Sequence, residues 1–168
     1  MRGRLGSASM AAAALWATPA AARDTIAVFR DWGAFHDAAA ATPERCFAIA
    51  QPPPITDAAS RGAFAAVTSW PGKRVRAQVS VRLSRGHRDD ARVTLSIGDA
   101  AFTLTTDGHT AWPADRMQDA LIVRAMRSGS SMSVATVSAT GDAYADVYRL
   151  RGAASAIDAA MLACGAKR

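Results

Sequence analysis

Three histidines, His36, His87 and His109, are the residues best suited to acid–base or metal chemistry near neutral pH. None stands three or four positions from another, and no cysteine or glutamate joins them at metal-ligand spacing. Read locally they are surface or turn residues, and His109 follows the turn pair Asp107-Gly108. Ser128, Ser130, Ser131 and Ser133 crowd around Gly129, but no G-x-S-x-G elbow strains a serine into a nucleophile. A triad would need serine, histidine and a buried acid to converge over long range. The plainer reading of these serines is a helix exit running into a polar-faced strand. Asp89-Asp90 and Asp142 with Asp146 match no calcium loop. The sequence therefore predicts no enzyme, no catalytic residue, no cofactor and no metal.

The concentrated functional group is basic. Lys73, Arg74, Arg76, Arg82, Arg85, Arg88 and Arg92 fall within 20 residues, in a chain of net charge +6. Arg76 and Arg82 share the polar face of one strand, by its period of two. Guanidinium forks match phosphate geometry. The candidate site is thus an anion-binding face of Arg74, Arg76, Arg82, Arg85, Arg88 and Arg92. Its partner would be an anionic envelope lipid, lipopolysaccharide or another, acidic envelope protein. The competing reading is a solvated strand face, partly neutralised by Asp89 and Asp90. No aromatic platform interleaves these charges, so no nucleic acid is expected. Arginine and alanine enrichment together can also reflect genomic base composition.

The envelope enters through the N-terminus. Arg2 and Arg4 precede a short apolar run, Met10 to Trp16, and Ala20-Ala21-Ala22 stands before Arg23. This is the layout of a cleaved signal peptide over residues 1–22; an alanine-rich tail is the alternative. The run is too short to span a bilayer, and no later stretch reaches 18 consecutive apolar residues. No transmembrane segment is expected in the mature chain, and residues 23–168 have the length of one domain with a real core. Two cysteines behind an export signal predict one disulfide, Cys46–Cys164. Two buried free thiols are the alternative. There is no C-x-x-C, so a thioredoxin-like redox role lacks its motif.

The elements that would position these groups read mostly as strands. Ile26 to Phe29 opens a first strand, with Trp32 and Phe35 as core anchors nearby. Asp37 to Glu44 reads as a loop, and Cys46 to Ala50 as a strand stopped by Pro52-Pro53-Pro54. A polar linker runs to Gly62. Phe64 to Trp70 is a strand, and Val75 to Leu83 alternates apolar and polar residues throughout. Val93 to Ile97, Phe102 with Leu104, and Ala111-Trp112 follow, separated by Gly98-Asp99 and Asp107-Gly108. Pro113-Ala114-Asp115 opens a helix with Met117, Leu121 and Ala125 on one stripe and Ile122 and Met126 beside it. Ser131 to Ser138 and Tyr144 to Leu150 are strands. Ala153 to Ala163 is a closing helix whose Ile157, Met161 and Cys164 share a face. About eight short strands with two helices predict a mainly β fold, a sandwich or a barrel.

A run of landmarks follows the chain: Asp31-Trp32 with Phe35, Cys46-Phe47-Ala48 leading to Gln51-Pro52, Phe102-Thr103-Leu104, Asp107-Gly108, and Ala111-Trp112. Asp119 to Met126 with Ser128-Gly129, Gly141, Tyr148-Arg149-Leu150-Arg151-Gly152 with Ala156, and Cys164 complete the set. Taken in order, these landmarks resemble the invasion-associated locus B proteins, small exported bacterial proteins. The resemblance spans most of the mature chain. It implies an immunoglobulin-like β-sandwich in the periplasm or at the cell envelope, and carries over no catalytic residue. Many members hold a further cysteine in the strand after the tryptophan. This chain has His36 there, which weighs against a second, local disulfide. The expected function is that of a non-enzymatic envelope or interaction protein. The alternative is a small-ligand carrier, or an enzyme, using a pocket that the sequence does not reveal.

Overall fold

The computed structural model describes residues 23–38, 43–53 and 62–165. The expected signal peptide at residues 1–22 lies outside the described residues. So do residues 39–42 of the alanine-rich loop and 54–61 of the polar linker.

Ten strands form among the described residues, rather than about eight. They are β1 (Arg23–Phe29), β2 (Trp32–Asp37), β3 (Arg45–Ala50), β4 (Phe64–Trp70), β5 (Val75–Arg82), β6 (Val93–Ile97), β7 (Ala100–Asp107), β8 (Thr110–Trp112), β9 (Ser131–Val137) and β10 (Ala143–Arg149). Two helices, α1 (Arg116–Ser128) and α2 (Ala153–Gly165), complete the fold. What reads as one opening strand is a hairpin. Arg30 takes a left-handed turn conformation (φ 58°) with Asp31, and β2 runs back along β1. Gly98-Asp99 joins β6 to β7 as expected. The next turn is centred on Gly108-His109, one residue later than Asp107-Gly108, because Asp107 still pairs with Thr110.

All pairings are antiparallel, in the order β1-β2-β3-β4-β5-β8-β7-β6-β9-β10. β7 is the corner. Its first half pairs with β6 and its last three residues pair with β8. The two halves of the sheet face one core. Trp32, Ala48, Val67, Val79 and Val81 from one half meet Leu95, Met132, Val134 and Tyr148 from the other. The ends of the sheet are locked together. The Trp32 indole Nε1 donates to the Arg149 carbonyl (2.9 Å), the Asp31 amide donates to the Arg151 carbonyl (3.2 Å), and Arg151 Nε donates to Asp31 Oδ2 (3.1 Å). The architecture is mainly β with two helices, consistent with the expected sandwich. No helix among the described residues is long and apolar enough to cross a membrane.

The interior face of β3, β4 and β5 is set by register. Cys46 stands opposite Ser69, Ala48 opposite Val67, and Val67 opposite Val79. Directly opposed residues share a face, so Cys46, Val67, Ser69 and Val79 all point to the core side. Trp32 is fully buried there, whereas Phe35, one face over, is not a core anchor. It stacks on Phe47 on the other side of the sheet (centroids 5.6 Å apart). α2 buries Ala153, Ala156, Ile157, Ala160 and Cys164. This row of mostly small side chains lets the helix lie close against the strands beneath it. Cys164 bonds to Cys46, with their Cα atoms 5.8 Å apart, so the expected disulfide is present.

The start of α2 is just as tightly held. Gly152 has φ 88°, and a Cβ there would overlap the Phe29 carbonyl. Gly152→Ala is expected to cost about 3 kcal/mol or more, from left-handed strain plus the clash; an unshifted melting temperature would contradict this packing. Reducing the disulfide is expected to remove roughly 4–5 kcal/mol, the loop-entropy value for a closure of this length. Urea denaturation with and without reductant measures it, and coincident curves would count against the bond as a stabiliser.

Candidate anion-binding cleft

The predicted face of six arginines is interrupted on β5. Val75 pairs with Trp70 and Gln78 with Thr68, so Arg76 and Ala77 together stand opposite the single residue Ser69. This is a β-bulge, with Ala77 at φ 54° and its amide donating to Ser69 Oγ (3.0 Å). Ser69 lies on the core side, and the bulge carries Arg76 to that side. Arg82, opposite Phe64, stays on the outer face. The expected shared face of Arg76 and Arg82 is therefore corrected: one inserted residue shifts the alternation and separates them. Arg74 closes the short 3-10 turn Pro71–Lys73 in a left-handed conformation. Arg85 lies over the Tyr144 ring, whose hydroxyl donates to the Arg85 carbonyl (2.7 Å). Arg88 is paired with Asp90, and Arg74, Arg76, Arg82 and Arg92 are all exposed.

On the core side of the sheet Arg76, itself exposed, lines a surface cleft with α1. The helix starts as expected. Asp115 Oδ1 accepts from the Gln118 amide (2.8 Å), and Gln118 Oε1 accepts from the Ala114 amide (2.8 Å). Its packing face differs from the predicted stripe. Met117 is 74% exposed and Leu121 48%, while Asp119, Ile122, Val123 and Met126 are buried. The reason is polar. Asp119 Oδ1 accepts from the Val79 amide at 2.7 Å, so the helix is keyed to β5 through its carboxylate. That rotation lays Arg116, Ala120, Arg124 and Arg127 along one side at helical spacing, with Arg76 across from them.

The result is a cleft of about 340 Å³ walled by Arg76 and Ala77, by Arg116, Ala120, Val123, Arg124 and Arg127 of α1, and by Met161 of α2. Arg127 is committed. Its guanidinium makes a two-pronged contact with Asp158 (3.0 and 2.6 Å), which holds that carboxyl below its usual value. Arg76, Arg116 and Arg124 make no hydrogen bond or ion pair among the described residues. Arg23 and Arg45, by contrast, share Asp37 and cover the Phe47 ring. The Arg74, Arg82 and Arg92 side chains are as unpaired as the cleft arginines among the described residues. What sets the cleft arginines apart is that they line one concavity. The acid in the cleft, Asp119, is pushed above its usual value by burial and by the charge of Asp115, against the Val79 hydrogen bond. The cleft is thus three unspent cations around one reluctant anion, an arrangement for an anionic ligand.

The other chemistry-bearing residues stay apart. His36 contacts Glu44 (2.9 Å), His87 forms a bridge with Ser138, and His109 sits in the β7–β8 turn. No group of three potential metal ligands occurs among the described residues. Asp146 is buried and accepts from the Ser84 amide (2.9 Å). Its charge, after burial, pushes the Tyr144 hydroxyl up to about 12. The α1 arginines are the site residues that sequence reasoning missed. Their spacing along one helix face was the available signal, but nothing local tied that face to Arg76.

No family model and no curated protein matches the chain. Among solved structures, the crystal structure of invasion-associated protein B from Bartonella henselae is similar, with a TM-score of 0.59 at 17% identity, over 85% of this chain and 99% of that one. At this identity the likeness establishes the fold. Within this chain, Asp31-Trp32 and Tyr148 to Gly152 are the two sides of the lock that joins the sheet's ends.

Asp119→Ala leaves the Val79 amide buried without an acceptor and is expected to cost about 1–3 kcal/mol. Asp119→Asn keeps an acceptor and should cost less. In the folded protein the Asp119 carboxyl keeps its proton above the ordinary value of 3.8, where the unfolded chain has lost it. Its contribution to stability is therefore full below 3.8 and lost as pH rises through the raised value. Asp119→Asn should flatten that fall in urea denaturation against pH, and an unaltered pH profile would contradict the assignment.

Proposed function

We propose that the chain is an exported, non-enzymatic envelope protein of the invasion-associated locus B type, which binds an anionic partner in the cleft between β5 and α1. The observation that carries the binding reading is the bulge that turns Arg76 to face Arg116 and Arg124. Guanidinium groups left unpaired beside apolar walls favour a phosphate-bearing or carboxylate-bearing ligand, because forked donors and weak hydration suit both. Export is supported by the Cys46–Cys164 bond, which persists in oxidising compartments, and by the signal-like residues 1–22. The non-enzymatic reading is supported by what the buried acids do. Asp119 and Asp146 each spend an oxygen on a backbone amide that the fold needs satisfied. An envelope lipid or an acidic envelope protein would supply the anion.

In cell fractionation of a host expressing the full chain, the protein is expected in the periplasmic fraction with no titratable thiol under denaturing, non-reducing conditions. Reduced thiols in the cytoplasmic fraction would contradict export. For the cleft, calorimetric titration with inorganic pyrophosphate is expected to weaken at least tenfold in Arg76→Ala and Arg124→Ala and to stay within twofold in Arg82→Ala, with affinity falling as salt rises. Equal losses in all three variants would return the site to a diffuse basic surface.

A further inference from the structure

We infer that the anion held in the cleft is the head of an amphiphile, a phosphate-bearing lipid or alkyl phosphate. Its chain lies in the adjoining groove between the β4–β5 turn and the end of α2. This rests on the cleft reading above and names the ligand class for it. The groove holds about 1330 Å³, several times the cleft itself, and is continuous with it because Arg76 and Met161 line both. Its apolar lining is Pro71 and Val75 on the turn side and Met161 and Leu162 on the helix side, with Arg74 and Ser69 beside them. Leu162 is 72% exposed on the last turns of α2, a large apolar side chain that no other part of the described structure covers. The groove's one acid, Asp158, is already neutralised by Arg127, so nothing negative repels an anionic head as it enters.

The charge and the apolar surface thus adjoin. Arg116 and Arg124 sit in the cleft, Arg76 stands where cleft and groove meet, and Arg74 lies along the turn side of the groove opposite the apolar Met161 and Leu162. An inorganic anion would use the cleft and leave the groove wet. An acidic peptide would put polar backbone along Val75, Met161 and Leu162, where it finds no row of partners. A hydrocarbon chain removes that surface from water, and each methylene buried there tightens binding by about three- to fourfold.

The test is a calorimetric series of inorganic phosphate, butyl phosphate and octyl phosphate, the last kept below its micelle concentration, with hexaglutamate as a peptide probe. Affinity is expected to rise from phosphate to butyl to octyl phosphate, with octyl at least tenfold tighter than butyl. Leu162→Asp, at an exposed position that tolerates the change, is expected to lose most of the butyl-to-octyl gain, with inorganic phosphate as each variant's internal reference. Arg76→Ala is expected to weaken every phosphate ligand. Equal binding of all three phosphates would overturn the amphiphile while leaving the anion cleft standing. Hexaglutamate binding more tightly than octyl phosphate would overturn it in favour of a peptide partner. No binding of any probe would overturn the cleft reading as well.

Discussion

Everything on the core side of the sheet depends on how α2 is held. Its first turn is seated against the Phe29 carbonyl, where only a glycine fits, and its last turn is bonded to β3 through Cys164 and Cys46. Between these two points the helix cannot slide along the strands. Asp158 therefore stays within reach of Arg127, and Met161 stays beside Arg76. α1 is fixed by a different device, the Asp119 carboxylate on the Val79 amide. A covalent bond positions one wall of the cleft, and a buried charge-assisted hydrogen bond positions the other. Neither depends on the salt-sensitive pairs at the surface, which contribute little.

A single inserted residue then decides what the cleft contains. The polar alternation of Val75 to Leu83 is real on both sides of the bulge, but its phase changes at Arg76-Ala77. Residues before and after the bulge keep their local pattern while exchanging faces. The bulge leaves an amide without a ladder partner, and the Ser69 hydroxyl accepts it from the neighbouring strand. The cleft is thus shaped by a local fault in the sheet, and the repair of that fault comes from β4.

The sequence is legible where the signal is local. Turn glycines, the Asp115 start of α1 and most strands follow from neighbours a few residues apart, and Cys46 pairs with Cys164 across 118 positions because the chain has only two cysteines. The Tyr148 to Gly152 and Asp31-Trp32 landmarks are visible too, though their meaning as one lock appears only when the sheet closes. What the sequence hides is long-range. Alternation cannot report the bulge, because the hydroxyl that satisfies its free amide lies on another strand. Hydrophobicity picks Met117 and Leu121 as the buried stripe of α1, because it cannot weigh one buried carboxylate bond forty positions away against two exposed apolar side chains. Proximity along the chain groups Arg76 with Arg82, whereas in space it belongs with Arg116 and Arg124.

The central claim is that the bulge makes Arg76, together with the α1 arginines, the anion-binding group. Arginine Nε–Hε resonances, followed by NMR as inorganic pyrophosphate is added to the intact, disulfide-bonded protein, test it without altering any residue. The account expects Arg76, Arg116 and Arg124 to shift together along one binding curve while Arg82 and Arg92 stay in place. Shifts centred on Arg82 and Arg92, with Arg76 unmoved, would contradict it.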